Sequence, residues 1–160
     1  MQTATVLPLA FGIGLVTGLR SMTGPAAVAW AGRFGWLGLK STEFAFLQSP
    51  VAVGVLTLAA VGEFVGDKLP KTPSRKDSGP FAVRVVFGGL CGAALALGYG
   101  APGWVGLLGG IAGAVAGTVG GYAYRMWCAR TIQGPDWIFA LVEDGFAVGL
   151  AWFVVSRSAA

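Results

Sequence analysis

Long apolar runs broken by short polar clusters dominate the chain. No charge occurs from Met1 to Leu19, from Phe44 to Gly62 or from Val85 to Tyr124. The apolar residues are continuous and do not alternate, which suits helices and not the strands of a barrel. A helix needs about 20 residues to cross the hydrocarbon core, and the third run has room for two helices and a turn. The pattern predicts five spanning helices: Ala4 to Gly18, Phe44 to Val65, Phe81 to Leu97, Trp104 to Met126 and Asp136 to Val155. After the first comes "GLRSMTGPAAVAWAGRFGWLGLK", whose apolar part, Pro25 to Ala31, is too short to span. It reads as a half-helix, interfacial or re-entrant, with protein covering its ends. Ser21 or Thr23 is placed to cap it and Gly24-Pro25 to open it.

Composition strengthens this picture. The hydrophobic fraction is 55% and the charged fraction 11%, against about 25% charged in an ordinary soluble domain. A soluble fold of this size could not hide so much apolar surface. The expected architecture is all-α, one integral membrane domain over residues 1–160. The first stretch lacks a basic leader and reads as a retained helix, not a cleaved signal. Glycine is abundant, at 27 residues, but has no third-residue period, which excludes collagen. Histidine is absent, which removes the commonest zinc ligand and the commonest general base near neutrality. Cys91 and Cys128 belong to no paired metal motif and read as small buried hydrophobes.

Basic residues set an expected orientation. Five spans put the N-terminus on the same side as the connections that carry Lys68, Lys71, Arg75, Lys76, Arg84, Arg125 and Arg130. Arg20, Arg33, Lys40 and Arg157 then lie opposite, which favours a cytoplasmic N-terminus. If Pro25 to Leu39 spans in a distorted form, the count becomes six and the assignment changes.

Polar groups inside the apolar runs are the candidates for function. Glu143 and Asp144 sit side by side within the last helix, about 100° apart around its axis. A charge exposed to lipid at helix centre costs about 2.5 to 3.5 kcal/mol, so this face turns to protein or water. The pair either forms structural ion pairs with an arginine such as Arg20 or Arg84, lines a polar path for a cation or proton, or serves catalysis. Glu63 and Asp67 share a helical face near a membrane boundary and form a candidate cation site, with magnesium held through water. Arg84, with Arg75 and Lys76, is a candidate contact for lipid phosphate. Gly109, Gly113, Gly117 and Gly121 recur every fourth residue on one face, fit for a close helix-helix seam within or between subunits. The net charge of +4 is explained by anionic lipid, with no reason to invoke nucleic acid.

Several segments together carry a resemblance: "GLRSMTGPAAVAW", "GEFVGDKLPKTPSR", the arginine-bearing start of the third helix, the glycine-rich fourth and "ALVEDG" in the last. Nearly the whole chain resembles a family of small bacterial inner-membrane proteins catalogued as a domain of unknown function. The family pattern falls here on Gly18, Arg20 and Ser21, then Glu63, Asp67, Lys68 and Pro70, then Glu143 and Asp144. It implies membrane location and a shared site built from these residues, and no established activity, metal or cofactor.

Three functions compete at this point. One is a small channel or transporter, homo-oligomeric among membrane lipids, with Arg20, Ser21, Glu143 and Asp144 at its path. Another is a magnesium-dependent enzyme acting on a phosphorylated lipid, weakened by the lack of an activated nucleophile. A structural assembly protein is the third. The pattern favours transport.

Overall fold

The computed structural model describes residues 2–66, 78–132 and 136–157. Its helices are α1 (Gln2–Leu19), α2 (Thr23–Arg33), α3 (Pro50–Gly66), α4 (Ser78–Gly98), α5 (Gly103–Thr131) and α6 (Asp136–Ser156), with a short 3-10 turn at Ala45–Gln48. No strand occurs among the described residues. Three helical stretches are long and apolar enough to cross a membrane: Ser78–Gly98, Gly103–Thr131 and Trp137–Ser156. Ala4–Leu19 and Pro50–Gly66 are apolar but shorter.

The second predicted span, Phe44 to Val65, is cut at its start. Proline is best tolerated in the first turn of a helix, and α3 begins at Pro50. Ser49 caps it, accepting the Ala52 N–H at 3.1 Å. Ser49 is extended, at φ −65° and ψ 144°, as a residue before proline prefers. Gly100, at φ +69°, makes the tight turn expected of "GYGAPG".

Neighbour contacts fix the direction of each helix. Gly109, Gly113 and Gly117 of α5 lie in turn against Leu7, Phe11 and Leu15 of α1, so α1 and α5 run parallel. Gly106 and Gly110 of α5 meet Gly92 and Gly88 of α4, so α4 runs antiparallel. Gly12 faces Val154 and Arg20 faces Asp144, which sets α6 antiparallel to α1. Met22 meets Glu63, and the Trp30 indole N–H donates to Thr57 Oγ1 at 3.0 Å, so α2 and α3 run antiparallel.

The segment expected to be a half-helix therefore carries the chain back across the bundle. At about 1.5 Å per residue, the 11-residue α2 covers only about half of a ~30 Å hydrocarbon core. The residues after it complete the passage. Leu37 and Gly38 pack on Gly98, at the far end of α4, and Leu37 and Leu39 are buried. Protein covers most of α2, including Gly24, Pro25, Val28, Ala29 and Ala31. The start of α1 consequently lies at the end of the bundle opposite the end of α3. The five-span expectation did not include this reversal, by which α2 and its extension turn the chain's direction along the bundle once more.

The core is a trio of α1, α4 and α5. An added Cβ would run into a carbonyl oxygen at several places: Gly14 into Gly110, Gly113 into Phe11, Gly117 into Leu15 and Gly92 into Gly106. Missing side chains let the backbones approach, which is how helices gain van der Waals contact in lipid. Cys91 and Cys128 are both buried and free.

Candidate functional site

The helix directions gather the polar sequence motifs at one end of the bundle. α1 ends there at Leu19 and α2 starts there at Thr23. Arg20, in the break between them, is wholly buried. Its guanidinium pairs with Asp144 Oδ1 of α6 at 2.5 Å and stands 5.5 Å from the ring centre of Phe64 on α3. An arginine at a helix break offers five donors to a buried carboxylate, and an aromatic face adds cation–π attraction. Together these hold a charge that would be costly alone.

Glu63 of α3 reaches into the same break. Its Oε1 accepts the Ser21 N–H and the Ser21 hydroxyl, both at 2.8 Å, and its Oε2 accepts the Met22 N–H at 2.9 Å. This replaces the cap expected from Ser21 or Thr23. The residue before α2 is Met22, and no side-chain cap bonds from it. A carboxylate on the exposed amides at a helix start satisfies orphan donors and complements the helix dipole. Arg84 of α4 is buried and lies 3.6 Å from Glu63 Oε1, so it turns inward toward a carboxylate.

The third carboxylate has its own arginine. Glu143 Oε2 lies 3.4 Å from Arg125 Nε on α5. Arg125 entered the sequence reading only as a basic residue for orientation. Its signal was its place one residue past the longest charge-free run, where a partner inside the membrane is required. Each described carboxylate of the cluster thus faces an arginine from another helix: Asp144 with Arg20, Glu143 with Arg125 and Glu63 with Arg84. Asp67, Arg75 and Lys76 lie outside the described residues. Among the described residues, no group of three His, Cys, Asp or Glu side chains is placed to hold a metal ion.

Glu143 also borders a groove of about 380 Å³ between α1, α5 and α6. Leu15, Leu19, Val142, Phe146 and Tyr124 form its walls, and Gly117, Gly120 and Gly121 line its α5 side. The expected glycine face is thereby divided. Gly109, Gly113 and Gly117 press on α1, while Gly121 opens on the groove.

Exposed tryptophans set the depth. Trp104 and Trp127 of α5 are both exposed and stand about 35 Å apart along the helix axis at ~1.5 Å per residue. That separation suits the two interfaces of a bilayer, where tryptophan collects. Trp137, also exposed, marks the charged end on α6. Glu143 and Asp144 lie about 10 Å further along that helix. Trp30, Phe34 and Trp36 continue the aromatic series toward the other end, where Trp36 meets Trp152 edge to face at 5.4 Å.

The fold and its long apolar helices define a multi-pass helical membrane protein. The chain belongs to the family described as Domain of unknown function (DUF4126), whose model matches residues 7–157. No curated protein and no solved structure matches the chain.

Proposed function

We propose that the protein is a small transporter for an ion or small solute in a bacterial inner membrane, with Glu143 and Asp144 of α6 at the working site. The observation that carries this reading is the Arg20–Asp144 pair, buried at a helix break inside an apolar helical bundle. Intramembrane ionisable residues and interrupted helices mark the sites of many transporters. A carboxylate that exchanges its arginine for a proton or cation gives such a site two states. Several copies enclosing a path would need a surface other than the packed part of the α5 face, since α1 covers Gly109, Gly113 and Gly117. The magnesium-dependent lipid enzyme draws less support, because Glu63 already accepts three donors from Ser21 and Met22.

Orientation follows from the six-segment path. The charged end carries Arg20, Arg84, Arg125 and Arg130, and the α3–α4 connection adds Lys68, Lys71, Arg75 and Lys76. The opposite end has Arg33, Lys40 and Arg157. The basic excess puts the charged end in the cytoplasm and both chain termini outside. A reporter fused after Ala160 that is active only in the cytoplasm is expected to be silent, and a bright reporter would reverse the placement.

The functional test is a proteoliposome flux screen over protons, monovalent and divalent cations and simple anions. Wild type is compared with Glu143→Gln and Asp144→Asn, with folding checked by size-exclusion elution. A selective flux lost in folded variants supports transport through α6. No flux from well-folded wild type moves the reading to an assembly protein or lipid enzyme.

A further inference from the structure

We propose that the groove between α1, α5 and α6 binds an organic cation with an apolar body, seated on the Glu143 carboxylate and entering sideways from the membrane. The inference names a substrate class for the transport reading, on which it rests for the exchange at Glu143.

Three features of the groove point to this chemistry. Its volume, about 380 Å³, falls in the range of small-molecule sites, ~300–1,000 Å³. Among the described residues its walls are apolar or aromatic apart from the Glu143 carboxylate and the Tyr124 hydroxyl. Tyr124 and Phe146 stand beside that carboxylate, and aromatic faces attract cations that cannot donate hydrogen bonds. An apolar body with a diffuse positive charge matches both parts, whereas a small hydrated cation would gain nothing from the walls.

The arginine partner decides the sign of the ligand. Glu143 has a side chain only 2% exposed, while that of Arg125 is 21% exposed. Arg125 is two residues from the exposed Trp127, at the interface. When a cation takes Glu143, Arg125 can extend its long side chain to water and lipid phosphate. An anion drawn to Arg125 would instead weaken the pairing that compensates Glu143, the more deeply buried of the two charges, where lost compensation is costly. Binding is therefore a swap of one cation for another on one carboxylate.

The way in is lateral. Val142 and Phe146, which line the groove, are more than half exposed. Gly120 is exposed on the α5 side, and a Cβ added there meets nothing within 4 Å. Because Gly120 lines the groove and an added Cβ meets no neighbour, a larger side chain there is expected to occupy the groove. Gly149 on α6 is equally open but is not part of the groove, which makes it a matched control.

The test is equilibrium binding of tetraphenylphosphonium to the purified full-length chain, beside uncharged triphenylphosphine oxide. Wild type is expected to bind the cation and to bind the neutral compound at least about tenfold more weakly, a difference of ~1.4 kcal/mol. Glu143→Gln and Gly120→Leu are each expected to lose at least about tenfold in cation affinity, with Gly149→Leu unchanged. Gly120→Leu keeps the test decisive if Glu143→Gln fails to fold. Equal binding of the cation and the neutral compound would leave only an apolar crevice and overturn the proposal. Undiminished binding by folded Gly120→Leu would overturn the location, and no binding by wild type would overturn the substrate class. Ion flux that persists without cation binding removes this inference alone, whereas cation binding without any flux removes the transport reading alone.

Discussion

The α1–α4–α5 trio and the α6 edge of the same bundle are held differently: glycine backbones touch in the trio, whereas α6 adds two buried ion pairs to the apolar packing of Ala147, Ala151, Val154 and Val155. In the trio, backbones touch through glycines, and an added Cβ would overlap a carbonyl oxygen. Along α6, Gly145 and Gly149 face open space, a groove separates part of the helix from α5, and the Arg20–Asp144 and Arg125–Glu143 pairs tie it to its neighbours. Close packing works only over a narrow range of distances, so the trio acts as a rigid block. An ion pair tolerates exchange of its partner. On the proposed transport reading, α6 is the element that responds to a proton, cation or ligand, and α1–α4–α5 the frame it responds against.

The largest effect is expected inside the frame. Gly113→Leu drives a side chain into the Phe11 carbonyl of α1; the obstacle is backbone and meets the Cβ itself, so the helices must separate and the loss goes well beyond the ~1–3 kcal/mol usual for overpacking. Thermal unfolding in detergent is expected to show an unstable or aggregated protein. A variant as stable as wild type would mean that the seam yields and the frame is not rigid.

Next comes the tie that holds α6. Asp144→Asn leaves buried Arg20 with its main charge uncompensated, at about 3–5 kcal/mol. Asp144→Leu combined with Arg20→Met is expected to be more stable than either single change, because two apolar side chains strand no charge. A double variant less stable than both singles would show that the pair does more than cancel its own charge.

Smaller effects belong to α3, at the periphery. Ser49→Ala removes the cap that accepts the Ala52 N–H, at a cost of about 1 kcal/mol. Gly54→Ala on α3, where a Cβ meets nothing within 4 Å, is expected to match or exceed wild type, by up to ~1 kcal/mol. A marked loss there would show that glycine matters for a surface used elsewhere, and would blur the distinction between frame and edge.

Much of this organisation was legible in the chain. Charge-free runs announced apolar helices because a charge in lipid is costly wherever the helix packs. The turn at Gly100 followed from local chain chemistry, and the suspicion that fell on Arg20, Glu63, Glu143 and Asp144 followed from their apolar surroundings. The start of α3 was equally available in Ser49-Pro50, a cap followed by a first-turn proline, but apolar Phe44 to Leu47 masked it. A four-residue spacing showed that the α5 glycines share a face, and left open whether that face served one chain or several.

What the chain determined by itself is its solvent: apolar runs of this length are stable only in a membrane, and each buried charge in them demands a partner. Only the tertiary structure decided which partner. Asp144 takes Arg20, Glu143 takes Arg125, and Glu63 takes the start of α2 together with Arg84. It also decided that α2 and its extension return the chain along the bundle, so that α1 starts at the end opposite the end of α3. Both outcomes depend on the directions in which separate helices pack. Those directions are set by long-range contacts between residues far apart in sequence, so no local pattern of apolar and polar positions records them.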